Sequence, residues 1–266
     1  MNDSTSKLAV VLGGGNGIGA ACCRVMAQRG WRVAVVDLDA AGAESVAREI
    51  GGRGYSVDMS SLSAMEELAD TIERDGGPVH SLVVTAAAFQ ERFSPEDFPM
   101  EQWRKVMQVN VEGTFNANRV FGFRMARRGQ GSIVNTASVV GRGSSPLHAY
   151  GPSKAAVINL TQGLASQWGR SGVRVNSVSP GSTVVARHAT RSKDRYAKDM
   201  MQHMALGRRI QPEEVAESIE FLASDRASAI TGTDLLIDAG WLAASTWELY
   251  GGVPDARSEA ATSSAA

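Results

Sequence analysis

Three side chains close together in the chain, Ser138, Tyr150 and Lys154, are of the right type for acid–base chemistry. Tyr150 and Lys154 are four apart, so on a helix they share one face and can meet. A tyrosine ordinarily titrates near pH ~10, too high for proton transfer at neutral pH. An ammonium beside it favours the phenolate and lowers that value. Such a set is suited to moving a proton to or from an alcohol or ketone oxygen. Taken alone, Tyr-x-x-x-Lys also describes a solvated helix face, so its meaning depends on the elements that position it. Metal chemistry is not expected: four scattered histidines and one Cys-Cys pair make no ligand pattern.

The elements alternate at a steady pace. Lys7 to Leu12 (KLAVVL) reads as a buried strand. It runs into Gly13-Gly14-Gly15-Asn16-Gly17-Ile18-Gly19 and a helical stretch that stops at Gly30. Strand, glycine-rich turn and helix together are the context that makes a glycine cluster a pyrophosphate site. Gly13 permits the tight turn, Gly17 lets backbone approach the anion, and Gly19 lets helix and strand pack closely. A second strand, Trp31–Val36, ends at Asp37, 18 residues after Gly19. A carboxylate at that spacing either binds an adenosine ribose hydroxyl or caps the following helix. It would repel a 2′-phosphate, and neither Gly13–Gly19 nor the residues directly after Asp37 offer a cation, so NAD is favoured over NADP.

Further on, a helix is expected over Ala40–Gly52, a strand over Gly54–Val57 ending at Asp58, and a helix capped by Ser60 or Ser61 through Asp75. A fourth strand covers Val79–Ala88, a loop 89–100, and one long helix Glu101–Arg128 that contains Asn110. A fifth strand, Gly131–Thr136, delivers Ser138 just past its carboxyl end, where open α/β sheets bind ligands. A helix Ala149–Trp168 carries Tyr150 and Lys154. Then come strands Val173–Ser179 and Asp234–Ile237, with a helix Pro212–Ser224 between them. This alternation implies a doubly wound, Rossmann-like three-layer α/β sandwich with a seven-stranded parallel sheet.

Composition sets the outer bounds. Of 266 residues 43% are hydrophobic and 21% charged, with net charge −1, which suggests no nucleic-acid partner. No apolar run reaches the ~20 residues of a membrane helix, and the first residues, MNDSTSK, lack a secretory pattern. Adjacent Cys22 and Cys23 cannot form an ordinary disulfide with each other, so a cytoplasmic location is expected. One domain is expected over 1–245. An extension with Trp247 and Tyr250 reads as a docking segment, and the tail beyond it, SEAATSSAA, as disordered.

The combination GGGNGIG, Asp58, Asn110, Ser138, Tyr150-Gly-Pro-Ser-Lys154, Pro180-Gly181 and TGTDLLIDAGW resembles the single-domain short-chain dehydrogenases/reductases over about Lys7 to Trp241. The resemblance implies hydride transfer between a nicotinamide dinucleotide and a carbinol or carbonyl carbon. Tyr150 would be the acid/base, Lys154 would tune it and hold the nicotinamide ribose, Ser138 would hold the substrate oxygen, and Asn110 a relay water. Candidate cofactor contacts are Gly13, Gly15, Asn16, Gly17, Ile18, Gly19, Asp37, Leu38, Asp58, Met59, Ala86, Ala87, Tyr150, Lys154, Pro180, Gly181, Thr183 and Val185. Family members are commonly tetramers with 222 symmetry, so a homotetramer is expected. Three sites depart from the family pattern. Leu12 replaces the usual Thr. Val84-Thr85-Ala86-Ala87 replaces Asn-Asn-Ala-Gly, and an apolar contact between these two sites is expected to compensate. Val185 replaces the Thr that holds the carboxamide, a task expected to pass to Thr183 or to backbone near Val185.

The favoured activity is NAD-dependent oxidation of a secondary alcohol: a polyol, sugar, cyclic diol or similar compound. The alternatives are a carbonyl reductase acting on a 3-oxoacyl thioester and, more remotely, a non-catalytic dinucleotide sensor. Specificity is expected in Phe89–Phe93, in Val139–His148 and in the basic, Met-rich stretch from Ser182 to Gly207. His148 is either a substrate contact or a surface residue. Arg92, Arg142, Arg187 and His188 either bind an anionic substrate or are solvated.

Overall fold

The computed structural model describes residues 6–185 and 200–254. Seven strands form one parallel sheet: β1 (Leu8–Leu12), β2 (Arg32–Asp37), β3 (Arg53–Ser56), β4 (Val79–Val84), β5 (Gly131–Thr136), β6 (Val173–Pro180) and β7 (Asp234–Ile237), in the order β3-β2-β1-β4-β5-β6-β7. The helices are α1 (Gly17–Gln28), α2 (Ala40–Ile50), α3 (Leu62–Gly76), α4 (Met100–Met107), α5 (Thr114–Arg128), α6 (Tyr150–Trp168), α7 (Pro212–Ala223) and α8 (Trp241–Ala244). The seven strands and the doubly wound order are those the alternation implied.

Strand residues alternate between the two faces. Val11, Val35, Val83, Val134 and Val178 pack with α1, α2 and α7 residues such as Met26, Val46 and Ile219. Val10, Val36, Leu82 and Ile133 pack with Met65, Phe121 and Ala165 of α3, α5 and α6. A sheet covered on both faces needs apolar residues at nearly every central position, which is why β1 (LAVVL) reads as an unbroken apolar run. Burying each such side chain stabilises by about 1.5–3 kcal/mol, and this packing holds the carboxyl edge of the sheet rigid.

Local signals decide the ends. Asp39 opens α2 by accepting the Ala41 N–H at 3.1 Å, and Ser61 opens α3 by accepting that of Ala64 at 3.3 Å. Asp37 therefore is not the cap of α2. Two expected elements are shorter than their patterns. β4 stops at Val84 rather than Ala88, because the N–H groups of Thr85 and Ala86 both turn to Leu12 O, at 2.8 and 3.0 Å. The helix expected over Glu101–Arg128 is interrupted by a π-helical turn, Gln108–Gly113, which carries Asn110. In the stretch 182–208, Thr183 and Ile210 form an isolated parallel bridge. Arg187 and His188 lie outside the described residues, as does the tail SEAATSSAA.

Cys22 and Cys23 are free and buried. Burial pushes both thiols up, Cys23 to about 12, so neither is a reactive thiolate. Beyond α8, one turn of 3₁₀-helix (Trp247–Tyr250) leaves Leu249 and Tyr250 each 85% exposed. These side chains do not dock on the body of their own chain. No described helix is long and apolar enough to cross a membrane.

Candidate active site

A cleft of about 500 Å³ runs along the carboxyl edge of the sheet, lined by residues from β1, β2 and β5, α1, α4 and α6, and the loops after the strands, that after β4 included. In the strand order, β1 lies between β2 and β4, so the cleft spans the point at which the winding reverses.

At one end lies the turn after β1. Gly13 has φ 82°, and a Cβ there would sit 2.4 Å from Ala86 N. Gly17 opens α1 at φ 52°. Asn16 makes no side-chain cap, so the first-turn N–H groups of α1 are left by its own sequence for another acceptor. Asp37 stands beside the turn. Its Oδ2 accepts the Gly15 N–H at 2.9 Å and its Oδ1 that of Asp39 at 3.0 Å. Asp58 Oδ1 accepts from Ser60 N and Oγ at 2.9 and 2.8 Å, closing the loop after β3. Asn116 holds that loop from α5 through Met59 O and Ser60 O.

At the other end, Tyr150 is the first residue of α6. Lys154, one turn on, is buried, and its Nζ donates to Thr136 O at 2.7 Å. The ammonium lies 5.5 Å from the Tyr150 ring centroid. A buried ammonium must be compensated by polar partners, and here they sit at the foot of the cleft. Ser138 precedes a 3₁₀ turn, Val139–Gly141, whose Val140 N–H its Oγ accepts at 3.5 Å. Phe89 covers the Tyr150 ring at a centroid distance of 4.8 Å.

A cleft with a glycine turn and a carboxylate at one end and a Tyr–Lys pair at the other can hold a dinucleotide extended across the sheet edge. A family model described as enoyl-(acyl carrier protein) reductase matches residues 13–242. D-threitol dehydrogenase of Mycolicibacterium smegmatis is 36% identical over 88% of this chain and 92% of its own length. Cis-4-hydroxycyclohexanecarboxylate dehydrogenase of Sinomonas cyclohexanicum is 34% identical over 89% and 97%. A crystal structure described as ribose-5-phosphate isomerase from Brucella melitensis 16M is 40% identical, covers 94% of this chain and 98% of its own, and superposes with a TM-score of 0.89. The chain belongs to the short-chain dehydrogenases/reductases. It is an oxidoreductase of a family that uses nicotinamide dinucleotides and acts on CH–OH donors.

Against that family's pattern, this short-chain dehydrogenase/reductase solves its cofactor-loop support in its own way. Leu12 is in register with Val84, and both are buried, as an apolar compensation requires. A polar tie is nevertheless kept: Thr85 Oγ1 reaches Leu12 O at 2.8 Å and Gly13 O at 3.2 Å. The expectation of a purely apolar replacement is corrected, because a hydroxyl on the loop after β4 does this work from the opposite side.

Of the expected contacts, Gly13, Asn16, Gly17, Ile18, Gly19, Asp37, Leu38, Asp58, Met59, Ala86, Ala87, Tyr150, Lys154 and Val185 line the cleft. Gly15 lies behind it with its N–H on Asp37. Gly181 donates to Ile237 O at 2.8 Å, fastening β6 to β7 next to Pro180. Thr183 is buried with its hydroxyl 3.3 Å from Gly181 O, and Val185 lines the cleft. Asn110 is buried on the π turn between α4 and α5. Its Oδ1 accepts the Ala88 N–H at 2.7 Å, and its Nδ2 donates to Ala88 O and Ser153 Oγ, both at 3.0 Å. Both Nδ2 hydrogens are thereby used, while Oδ1 keeps a second lone pair to which a water can donate. Arg142 is not a solvated cation: its Nε donates to the buried Asp234 carboxylate at 2.6 Å. His148 stacks edge-on to Phe98 at 6.5 Å.

Lys105, Val109, Thr85 and Thr136 also line the cleft. Lys105 sits in a charged helical run that reads as surface. Thr85 was visible only as a departure from the family pattern. No group of His, Cys, Asp and Glu among the described residues can hold a metal.

Proposed function

We propose that the protein is an NAD-dependent dehydrogenase that oxidises a secondary alcohol, such as a polyol, a sugar or a cyclic diol, to the ketone. The observation that carries this reading is the buried Lys154 beside Tyr150, placed in one cleft with the glycine turn and Asp37. Gly13 and Gly15 let the turn pack against the Ala86 backbone and Asp37, where a Cβ would collide.

When bound, the nicotinamide supplies the hydride chemistry. The chain's own residues do the remainder. The turn at Gly13–Gly19 and the start of α1 hold the pyrophosphate, Asp37 and Leu38 the adenosine ribose, and Asp58 and Met59 the adenine. Lys154 holds the nicotinamide ribose hydroxyls and favours the phenolate of Tyr150. Ser138 hydrogen-bonds the substrate oxygen. In oxidation, Tyr150 takes the hydroxyl proton as the C–H hydride departs, and in reduction it returns that proton. Thr183 or backbone near Val185 takes the carboxamide. Asp37 supports NAD over NADP by placing negative charge where a 2′-phosphate would lie.

The related threitol and hydroxycyclohexanecarboxylate enzymes support an alcohol substrate, one acyclic and one cyclic. A 34% identical human relative named (3R)-3-hydroxyacyl-CoA dehydrogenase supports the second reading, reduction of a 3-oxoacyl thioester. A cytoplasmic location is supported by two free buried thiols. A homotetramer is supported by an apolar groove on α4, α5 and α6 that includes Trp103, Met107, Phe115 and Leu160, and sedimentation gives its mass directly.

The test is a panel of acyclic and cyclic secondary alcohols with NAD and NADP in parallel, beside 3-oxoacyl thioesters with the reduced cofactors. The expected result is NAD reduction by at least one alcohol class. Turnover of thioesters alone, or of a sugar phosphate with no net change in nicotinamide absorbance, would overturn it.

A further inference from the structure

Gln90 is 3% exposed, lies in the loop after β4, and takes no part in the proposed chemistry. Its Oε1 accepts two N–H groups at the start of α6: Ala149 at 2.6 Å and Tyr150 at 2.8 Å. First-turn N–H groups have no partner inside their own helix. At α6 the residue in the capping position is Ala149, which has no side-chain acceptor. The acceptor comes instead from a residue 60 positions earlier.

The carbonyl of Tyr150 is also held. Ser153 Oγ donates to Tyr150 O at 2.7 Å and itself accepts from Asn110 Nδ2 at 3.0 Å. Asn110 in turn grips both polar groups of Ala88, two residues before Gln90. The result is a closed ring: Ala88, Asn110, Ser153, Tyr150, Gln90 and back along the chain to Ala88. Phe89 lies inside that ring of connections and covers the Tyr150 ring.

We infer that Gln90 is a positioning residue for Tyr150: its amide oxygen sets the main chain of the acid/base and ties it to the segment that carries Phe89, whose ring packs on that of Tyr150. The inference rests on the proposed role of Tyr150. A neutral acceptor suits this place. A carboxylate would cap the helix equally well, but its charge beside Tyr150 would disfavour the phenolate.

Two variants test it. Gln90→Met keeps size and removes the acceptor. Gln90→Glu keeps the acceptor and adds charge. Each is compared with wild type by NAD binding, by kcat and KM against pH, and by titration of the Tyr150 phenolate in the absorbance difference against Tyr150→Phe. The binding and phenolate measurements need no substrate. Gln90→Met is expected to lower kcat roughly tenfold per NAD-binding site, as a small misplacement of a reacting group does, with KM changed far less. Gln90→Glu is expected to stay folded and to move both the phenolate titration and the rising limb of kcat upward by about one pH unit. Wild-type kcat in Gln90→Met, or an activity loss that only follows the fraction of protein binding NAD, overturns the inference. So does an unmoved phenolate titration in Gln90→Glu, which decides the matter if Gln90→Met does not fold. If Tyr150→Phe itself turns over like wild type, the catalytic reading fails, while the phenolate titration still reports on Gln90.

Discussion

At the scale of single residues, the account turns on charges placed with few alternatives. Asp37 uses one oxygen for Gly15 N and the other for Asp39 N, so its carboxylate is fixed in direction before any ligand arrives. Each oxygen retains acceptor capacity for a ribose hydroxyl. Asp37→Asn preserves the size and removes the charge. It is expected to narrow the preference for NAD over NADP by about tenfold, ~1.4 kcal/mol of discrimination. Parallel kcat/KM values with the two cofactors check this, and an unchanged ratio would show that Asp37 does not set the preference. At this scale Tyr150, Lys154 and Asp37 were legible because type and spacing define them. The partners of Asn110, the bond of the Thr183 hydroxyl to Gly181 O and the cap from Gln90 were not, because each depends on residues 22 to 60 positions away or on a local rotation of one side chain.

At the scale of elements, the question is what holds the glycine turn against the loop after β4. Gly13 leaves no room for a side chain against Ala86, and Thr85 ties the two loops through Leu12 O and Gly13 O. Thr85→Val keeps the shape and removes the hydroxyl. It is expected to weaken NAD binding several-fold, in line with ~1 kcal/mol for one such bond, and Thr85→Ser is expected to restore most of it. Calorimetric titration with NAD measures both, and equal affinities in all three proteins would refute the tie. Most element boundaries followed from apolar runs, glycine stops and Asp or Ser caps. The exceptions have physical causes. β4 ends early because Leu12 O captures two successive N–H groups. The long helix breaks into α4, a π turn and α5, a change that leaves the helical period of 101–128 almost untouched, so no pattern marks it.

At the scale of the whole molecule, stability is expected to fall in mild acid. His80 Nδ1 accepts the Leu8 N–H at 3.3 Å, at the start of the interior strand β1. Burial, followed by the nearby charges of Lys7 and Arg128, lowers its pKa. A histidine with a lower pKa folded than unfolded favours the unfolded chain once it protonates. Its stabilising effect is therefore complete above about pH 6.5 and is lost as pH falls below that value. His80→Gln should flatten this dependence. Urea midpoints at mildly alkaline and mildly acid pH test it, and equal slopes in the two proteins would contradict it. Function at this scale is the joining of the two ends of the cleft: one end holds a dinucleotide and the other moves a proton. The measurement that tests this most directly is turnover and NAD affinity of Tyr150→Phe beside wild type, on the best alcohol from the panel. The account predicts a loss of kcat of at least about a hundredfold, with NAD affinity unchanged. Retained turnover, or loss of NAD binding together with activity in a folded protein, would contradict it.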